Sequence, residues 1–258
     1  MKLATWNVNS LKVRLPQVLQ WLADSPVDVL CLQELKMDQP AFPLEPIEAA
    51  GYQAVWFGQK TYNGVAILVR NGLVIEDVVY GIPGYADEQR RVIAATVDGV
   101  RVICAYFVNG ESVDSAKYPY KLEWLAKLEG YVAGQLAQFP KFALLGDYNI
   151  APEDRDVYDP EGWKEQVLCT TPERESFARL VSMGLSDSFR LFNAEDQQYS
   201  WWDYRAAMFR RNLGVRIDHI LISEALREKA VECVIDKVPR KWERPSDHTP
   251  VVLTLNVP

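Results

Sequence analysis

Two apolar runs of strand length, Val92–Val97 and Val100–Phe107, are separated only by Asp98-Gly99. Asp-Gly accepts the positive φ angles of a two-residue hairpin turn, whose twist matches that of the flanking strands, so the chain must contain an antiparallel pair. Elsewhere strand-like and helix-like segments alternate. The amphipathic stretch Leu15–Ala23, with Leu15, Val18, Leu19 and Leu22 on one face, precedes the buried-strand pattern Asp28–Gln33. Gly64–Arg70, Phe142–Leu145, Arg216–Ile222 and Val251–Leu255 also read as strands, and Ser115–Leu136 as a helix. Thr171-Pro172, followed by ERESFARLVSM and Gly184, carries a helix cap, a first-turn proline and a terminal glycine. Hairpins mixed with α–β units imply mixed sheets in a layered α/β fold, not a purely parallel one.

With no linker, repeat or low-complexity tract, one domain is expected over residues 1–258. A hydrophobic content of 48% provides for a large core and argues against disorder. No apolar run approaches the ~18 residues of a membrane span, and MKLATWNVNS has no signal-peptide stretch. Cys31, Cys104, Cys169 and Cys233 are scattered, with no C-x-x-C pair, as in a reducing cytoplasmic protein. The net charge of −7 disfavours a scaffold that coats nucleic acid. It says little against an enzyme, which needs only one positive face, and carboxylates that bind a cation add negative formal charge of their own.

Five strand-like runs meet polar clusters that a core would not accommodate. They are Leu3–Trp6 ending in Asn7-Val8-Asn9-Ser10, VLCLQ ending in Glu34, FALLG ending in Asp147-Tyr148-Asn149, Asp218-His219 within RIDHILIS, and Ser246-Asp247-His248 before TPVVLTL. Each taken singly is an ordinary turn or a solvated strand end. Ligands in open α/β sheets collect at the carboxyl ends of strands, so Asn7, Glu34, Asp147 and Asn149 could also converge there. Pattern alone leaves both readings open. The donor types narrow the chemistry: Asn, Glu and Asp offer hard oxygens suited to magnesium or manganese, whereas His219 and His248 are the only histidines available to zinc. No G-x-S-x-G elbow, P-loop or dinucleotide glycine pattern is present. Metal-assisted phosphate-ester hydrolysis with an activated water and a histidine is what remains.

The segments ATWNVNSLKVR, CLQELK, YNGVAIL, QRRVI, YFVNGES, LLGDYNIAP, TPERESF, SWWDYR, GVRIDHIL and PSDHTPV, spanning residues 4 to 251, resemble the exonuclease III family of the DNase I-like phosphodiesterase superfamily. The resemblance implies a four-layer α/β sandwich, two packed mixed β-sheets flanked by helices. It implies a magnesium-dependent DNA-repair nuclease that hydrolyses phosphate esters at 3′ ends of duplex DNA, with cleavage 5′ to abasic sites a further activity and manganese able to substitute. A monomer that acts on double-stranded DNA is expected.

Carried over by position, the family pattern implies that Glu34 binds the metal, within a ligand set of Asn7, Glu34, Asp147, Asn149 and Asp247. Asp147 would orient or deprotonate the water and Asn149 would hold phosphate and water. His248 would contact the scissile phosphate, with Asp218 setting its protonation, and Tyr106 would donate to the phosphate or assist the leaving group. His219, next to Asp218 on a strand, would point the other way and be structural. Expected substrate contacts are Arg90, Asn109, Trp201 and Trp202, with Lys60, Arg91, Tyr204, Arg205, Arg210 and Arg211 as further candidates.

The chain departs from the family pattern at Ser10, where a glycine is common, and in the stretch Val167–Thr170, where a bulky Leu168 would obstruct a nucleotide at an internal lesion. Two other readings are a superfamily phosphodiesterase acting on RNA or another phosphoester, and a non-catalytic nucleic-acid binder. The second would be expected to have lost Glu34, Asp147, Asn149, Asp247 or His248, and all five are present.

Overall fold

The structure, a computed structural model, describes residues 1–257. Its strands are β1 (Lys2–Asn7), β2 (Val29–Gln33), β3 (Tyr52–Phe57), β4 (Val65–Arg70), β5 (Ile75–Tyr80), β6 (Val92–Val97), β7 (Val100–Tyr106), β8 (Phe142–Asp147), β9 (Leu185–Asp187), β10 (Asp218–Ser223), β11 (Ala230–Ile235) and β12 (Val251–Leu255). The helices are α1 (Leu11–Asp24), α2 (Leu44–Ala49), α3 (Lys117–Gln138), α4 (Pro160–Trp163), α5 (Thr171–Ser182), α6 (Ser188–Phe192) and α7 (Glu224–Arg227).

The strands form two six-stranded mixed sheets, in the orders β11-β12-β1-β2-β4-β3 and β5-β6-β7-β8-β10-β9. Only β1 with β2 and β7 with β8 run parallel; every other pairing is antiparallel. The sheets pack face to face through Leu3, Cys31 and Ile67 on one side and Ile93, Cys104 and Leu145 on the other. The opposite face of the first sheet is covered by Val18, Trp21 and Leu22 of α1 and Ile47 of α2. That of the second is covered by Trp124, Leu125 and Leu128 of α3 and Phe177 and Leu180 of α5. The four-layer sandwich expected from the sequence is therefore the architecture found. Central strands are buried on both faces, which is why VLCLQ and FALLG are continuous apolar runs without alternation. Truncating a core leucine such as Leu128 to alanine would cost about 2–5 kcal/mol.

Local chemistry sets the element ends. Asp98-Gly99 makes the tight turn between β6 and β7, with φ of 45° and 78°. The α5 cap is Thr170, one residue earlier than the sequence suggested: its hydroxyl accepts from the Glu173 N–H while Glu173 reaches back to the Thr170 N–H. Helix α1 begins one turn before the periodic stretch, capped by Ser10 at φ 85°. That left-handed backbone is the physical reason a glycine suits this position.

Candidate active site

The parallel pairs place two sets of strand ends side by side. Asn7 ends β1 and Glu34 follows β2; Tyr106 ends β7 and Asp147 ends β8, directly across from it in register. Because β10 runs antiparallel to β8, its first residue, Asp218, pairs with Asp147. Strand β12 runs antiparallel to β1, so the segment entering it brings Asp247 and His248 to the same edge. Gly146 allows the close approach of β7 and β8 there, since a Cβ on it would lie 1.8 Å from the Ala105 carbonyl oxygen.

The side chains interlock. Asn7 Nδ2 donates to Glu34 Oε2 at 2.6 Å and to Asp147 Oδ2 at 2.9 Å, while its Oδ1 accepts from the Asn9 N–H. His248 Nδ1 bonds Asp218 Oδ2 at 2.8 Å. Its Nε2 lies 3.6 Å from Asp147 Oδ2, too long for a hydrogen bond, so that N–H is free to donate elsewhere. Asn149 gives its backbone N–H to Asp147 Oδ1 at 3.0 Å, its Nδ2 to the Phe107 carbonyl, and its Oδ1 accepts from Asn109 Nδ2 at 2.9 Å. Asp247 accepts from Trp201 Nε1 at 3.0 Å and from Asn9 Nδ2 at 3.3 Å. Asn9, Glu34, Lys36 and Asn149 all have φ between 44° and 56°. Such left-handed backbone in non-glycine residues persists only where its surroundings enforce it.

Charge is crowded at this edge. Burial, with the Asp218 and Glu34 carboxylates, raises the Asp147 pKa to about 7, against the opposing pull of His248 and Asn7. Burial opposes a charge on His248, but Asp218 and Asp147 outweigh it and lift its pKa to about 10. Burial first, then Glu34 and Asp147, push the Tyr106 phenol well above its ordinary value. One ligand atom each from Glu34, Asp147 and His248 lie within 4.8 Å of one another. The carboxylate oxygens of Glu34 and Asp147 fit a hard divalent cation; a single histidine and no cysteine do not make a zinc set.

Several expected residues are placed otherwise. Asn7 presents its NH2 group to the carboxylates and its oxygen to Asn9, so in this arrangement it bridges the acids. Asn149 has its amide committed to Asn109 and Phe107, and Asp247 faces Trp201 and Asn9 outside the close carboxylate group. Trp202 is fully buried, donating to Asn212 and packed edge-on against Phe209, which corrects its reading as a substrate contact. Trp201 remains half-buried beside Asp247. Arg90 donates to the Gly58 carbonyl and lies over the Phe57 ring, and Arg91 is buried against Gln89 and Tyr106, so both guanidiniums also brace the scaffold. Leu168 is only 4% exposed, packed with Val157, Val215 and Ile217, and does not project as an obstruction. His219 points away from the site as strand parity requires, bonding Ile150 O and Arg216 and meeting Tyr148 and Phe177 edge-on. A cavity of about 710 Å³ opens beside Glu34, Tyr106 and Asn109. Sequence reasoning did not single out Lys36 or Arg14, which brace Asn9, although both lie within segments that resemble the family.

This fold and this edge of acids define the class: the chain belongs to the endonuclease/exonuclease/phosphatase family, whose pattern matches residues 4–248. Within that family its relatives are of the exodeoxyribonuclease III type. It is 35% identical to the exodeoxyribonuclease III of Haemophilus influenzae, over 97% of this chain and 98% of that one. The structure of the 3′ phosphatase NExo from Neisseria, bound to product DNA hairpin, is 52% identical with a TM-score of 0.97, covering both chains completely. An AP endonuclease from Archaeoglobus fulgidus is 36% identical with a TM-score of 0.94, again over both full lengths.

Proposed function

We propose that this protein is a metal-dependent DNA-repair nuclease that hydrolyses phosphate esters at the 3′ ends of duplex DNA. The observation that carries the reading is the chain of contacts from Asp218 through His248 to Asp147, beside a Glu34 carboxylate that shares the Asn7 amide with Asp147. The similarity to a 3′ phosphatase and to an exodeoxyribonuclease III supports 3′-end substrates. Similarity to an AP endonuclease supports incision at abasic sites as a second activity of the same site.

Glu34, with the adjacent Asp147 oxygen, would hold magnesium or manganese, which when bound supplies positive charge against the phosphate. Asp147 would orient or deprotonate the attacking water, its carboxylate held by the Asn149 N–H on Oδ1 and the Asn7 amide on Oδ2. His248 stays protonated and offers Nε2–H to a non-bridging phosphate oxygen, with Asp218 fixing its ring. Tyr106 keeps its phenolic proton and therefore serves as a donor, not a base. The Asn109–Asn149 pair braces the same corner, and half-buried Trp201 borders it. One catalytic domain, a monomer and duplex DNA as partner complete the proposal. The four cysteines are free thiols, in keeping with a reducing cytoplasm, and no helix of the described residues is long and apolar enough to cross a membrane.

The test is an assay with magnesium on three duplexes, carrying a recessed 3′ hydroxyl, a 3′ phosphate or an internal abasic site. Turnover of the 3′ substrates, abolished by chelator and restored by magnesium or manganese, is expected. Activity that survives chelation, or that only zinc restores, would overturn the assignment of the site.

A further inference from the structure

Lys121 of α3 is completely buried, and so is its counter-ion, Glu173 of α5. An unpaired buried ammonium is costly, so every donor should be engaged. All three are: Lys121 Nζ donates to the Asn149 carbonyl at 2.7 Å, to the Asn109 carbonyl at 3.1 Å and to Glu173 Oε1. Glu173 is equally occupied, accepting from the N–H of Leu168 at 3.1 Å and from the N–H and hydroxyl of Thr170 at 2.9 and 2.8 Å. The turn after β7 packs closely on the lysine stem, where a Cβ on Gly110 would lie 3.1 Å from Lys121 Cδ.

The two carbonyls belong to the residues whose side chains bond each other at the site, Asn109 Nδ2 to Asn149 Oδ1, and Asn149 in turn gives its N–H to Asp147 Oδ1. We infer that Lys121 is a positioning residue for the hydrolytic reaction: its ammonium clamps the Asn109 and Asn149 carbonyls from behind and so fixes the amide pair and the Asp147 carboxylate in their reactive orientation. The inference rests on the nuclease reading above. No other side chain could do this by the same means. Three acceptors from separate segments converge on one solvent-free point, and only an ammonium presents three donors from a single atom. Asn149 is at φ 48°, a conformation that needs an external hold, and the lysine supplies one at its carbonyl.

The experiment compares Lys121→Met/Glu173→Gln with Glu173→Gln alone, on duplex DNA with a recessed 3′ end and magnesium. The double variant leaves no unpaired buried charge, so it is expected to fold, and each protein is assayed well below its own melting temperature. Loss of the clamp should lower kcat about 30-fold or more, since displacements near 1 Å cost on the order of 10²-fold, with KM within about threefold because phosphate contacts remain. Glu173→Gln alone keeps Lys121 on both carbonyls and should lose no more than about fivefold, while its melting temperature falls at least as much as the double variant's, because Lys121 is left buried without its counter-ion. The exposed Lys127→Met on the same helix serves as the unaffected control. A double variant with kcat within threefold of wild type overturns the clamp. So does a Glu173→Gln variant as impaired as the double one, because the effect would then come from loosened packing. A wild-type protein with no turnover would instead overturn the nuclease reading, and the clamp with it.

Discussion

At the residue scale, the division of labour follows from which groups hold protons. Water is a weak nucleophile, and the phosphodiester repels it with its own charge. In the proposed mechanism Asp147 would address the first difficulty and protonated His248 the second, provided that their interactions strengthen in the transition state. Asp147→Asn and His248→Asn should each lower turnover by on the order of 10²–10⁴-fold, with DNA affinity measured by titration changing only about fivefold or less. His219→Asn makes the contrast, because that ring faces Tyr148 and Phe177 on the far side of β10. It should leave turnover near wild type while lowering the melting temperature; equal damage to turnover in a folded His219→Asn protein would mean that the wrong histidine is assigned. Glu34→Ala should raise the magnesium concentration needed for half-maximal rate, and an unchanged titration would remove Glu34 from the metal site.

At the scale of elements, one strand start and one helix start carry testable energetics. The imidazole of His219 is buried, and burial, followed by the nearby Arg216, holds its pKa down at about 4 against an ordinary 6.5. Between these values the unfolded chain binds the extra proton, so stability rises with pH there. The contribution is fully present above pH 6.5 and lost as pH falls through 4. It amounts to on the order of 3 kcal/mol. Denaturant titrations from pH 7 to pH 4 should show this slope in wild type and a shallower one in His219→Phe. At the start of α1, Ser10 combines φ 85° with a long 3.4 Å capping bond from Val13 N–H. Relief of backbone strain exceeds loss of so weak a cap, so Ser10→Gly should stabilise by about 1 kcal/mol. In a chain of this size that raises the melting temperature by about 2–4 °C; a lower melting temperature would show that the cap outweighs the strain.

At the scale of the molecule, an acidic protein is expected to hold a polyanion through one face. DNA binding should weaken steeply as salt rises, because each phosphate held by a cationic side chain releases counterions. With Arg90 and Arg91 engaged in the scaffold, the exposed Lys60 and Arg211 are the better probes. Reversing both to glutamate should flatten the slope of log affinity against log salt by about 1 for each phosphate no longer held. An unaltered slope would place them away from DNA.

The chain by itself determined its layered α/β class and the identity of its acids, and the reason is burial. Central strands such as β2, β4 and β8 are covered on both faces, so only continuous apolar runs serve, and these stand out against the polar residues that end them. The strands that local pattern did not reveal, β3, β5, β9 and β11, are the four sheet edges. There half-exposure admits residues such as those of Ile75–Tyr80 (IEDVVY), whose strand state depends on a neighbour remote in sequence. The same distinction runs through the site. Motif order singled out Glu34, Asp147, Asp218 and His248, because hard donors and an acid–imidazole pair are chemically distinctive. Only the tertiary structure decided that Trp202 is buried, that Arg90 and Arg91 brace the scaffold, and that Lys121 lies beneath the Asp147–Asn149 turn. Each of these depends on where a side chain's partners lie after two sheets have closed face to face, and a tryptophan, arginine or lysine carries no local mark of which partner it will meet.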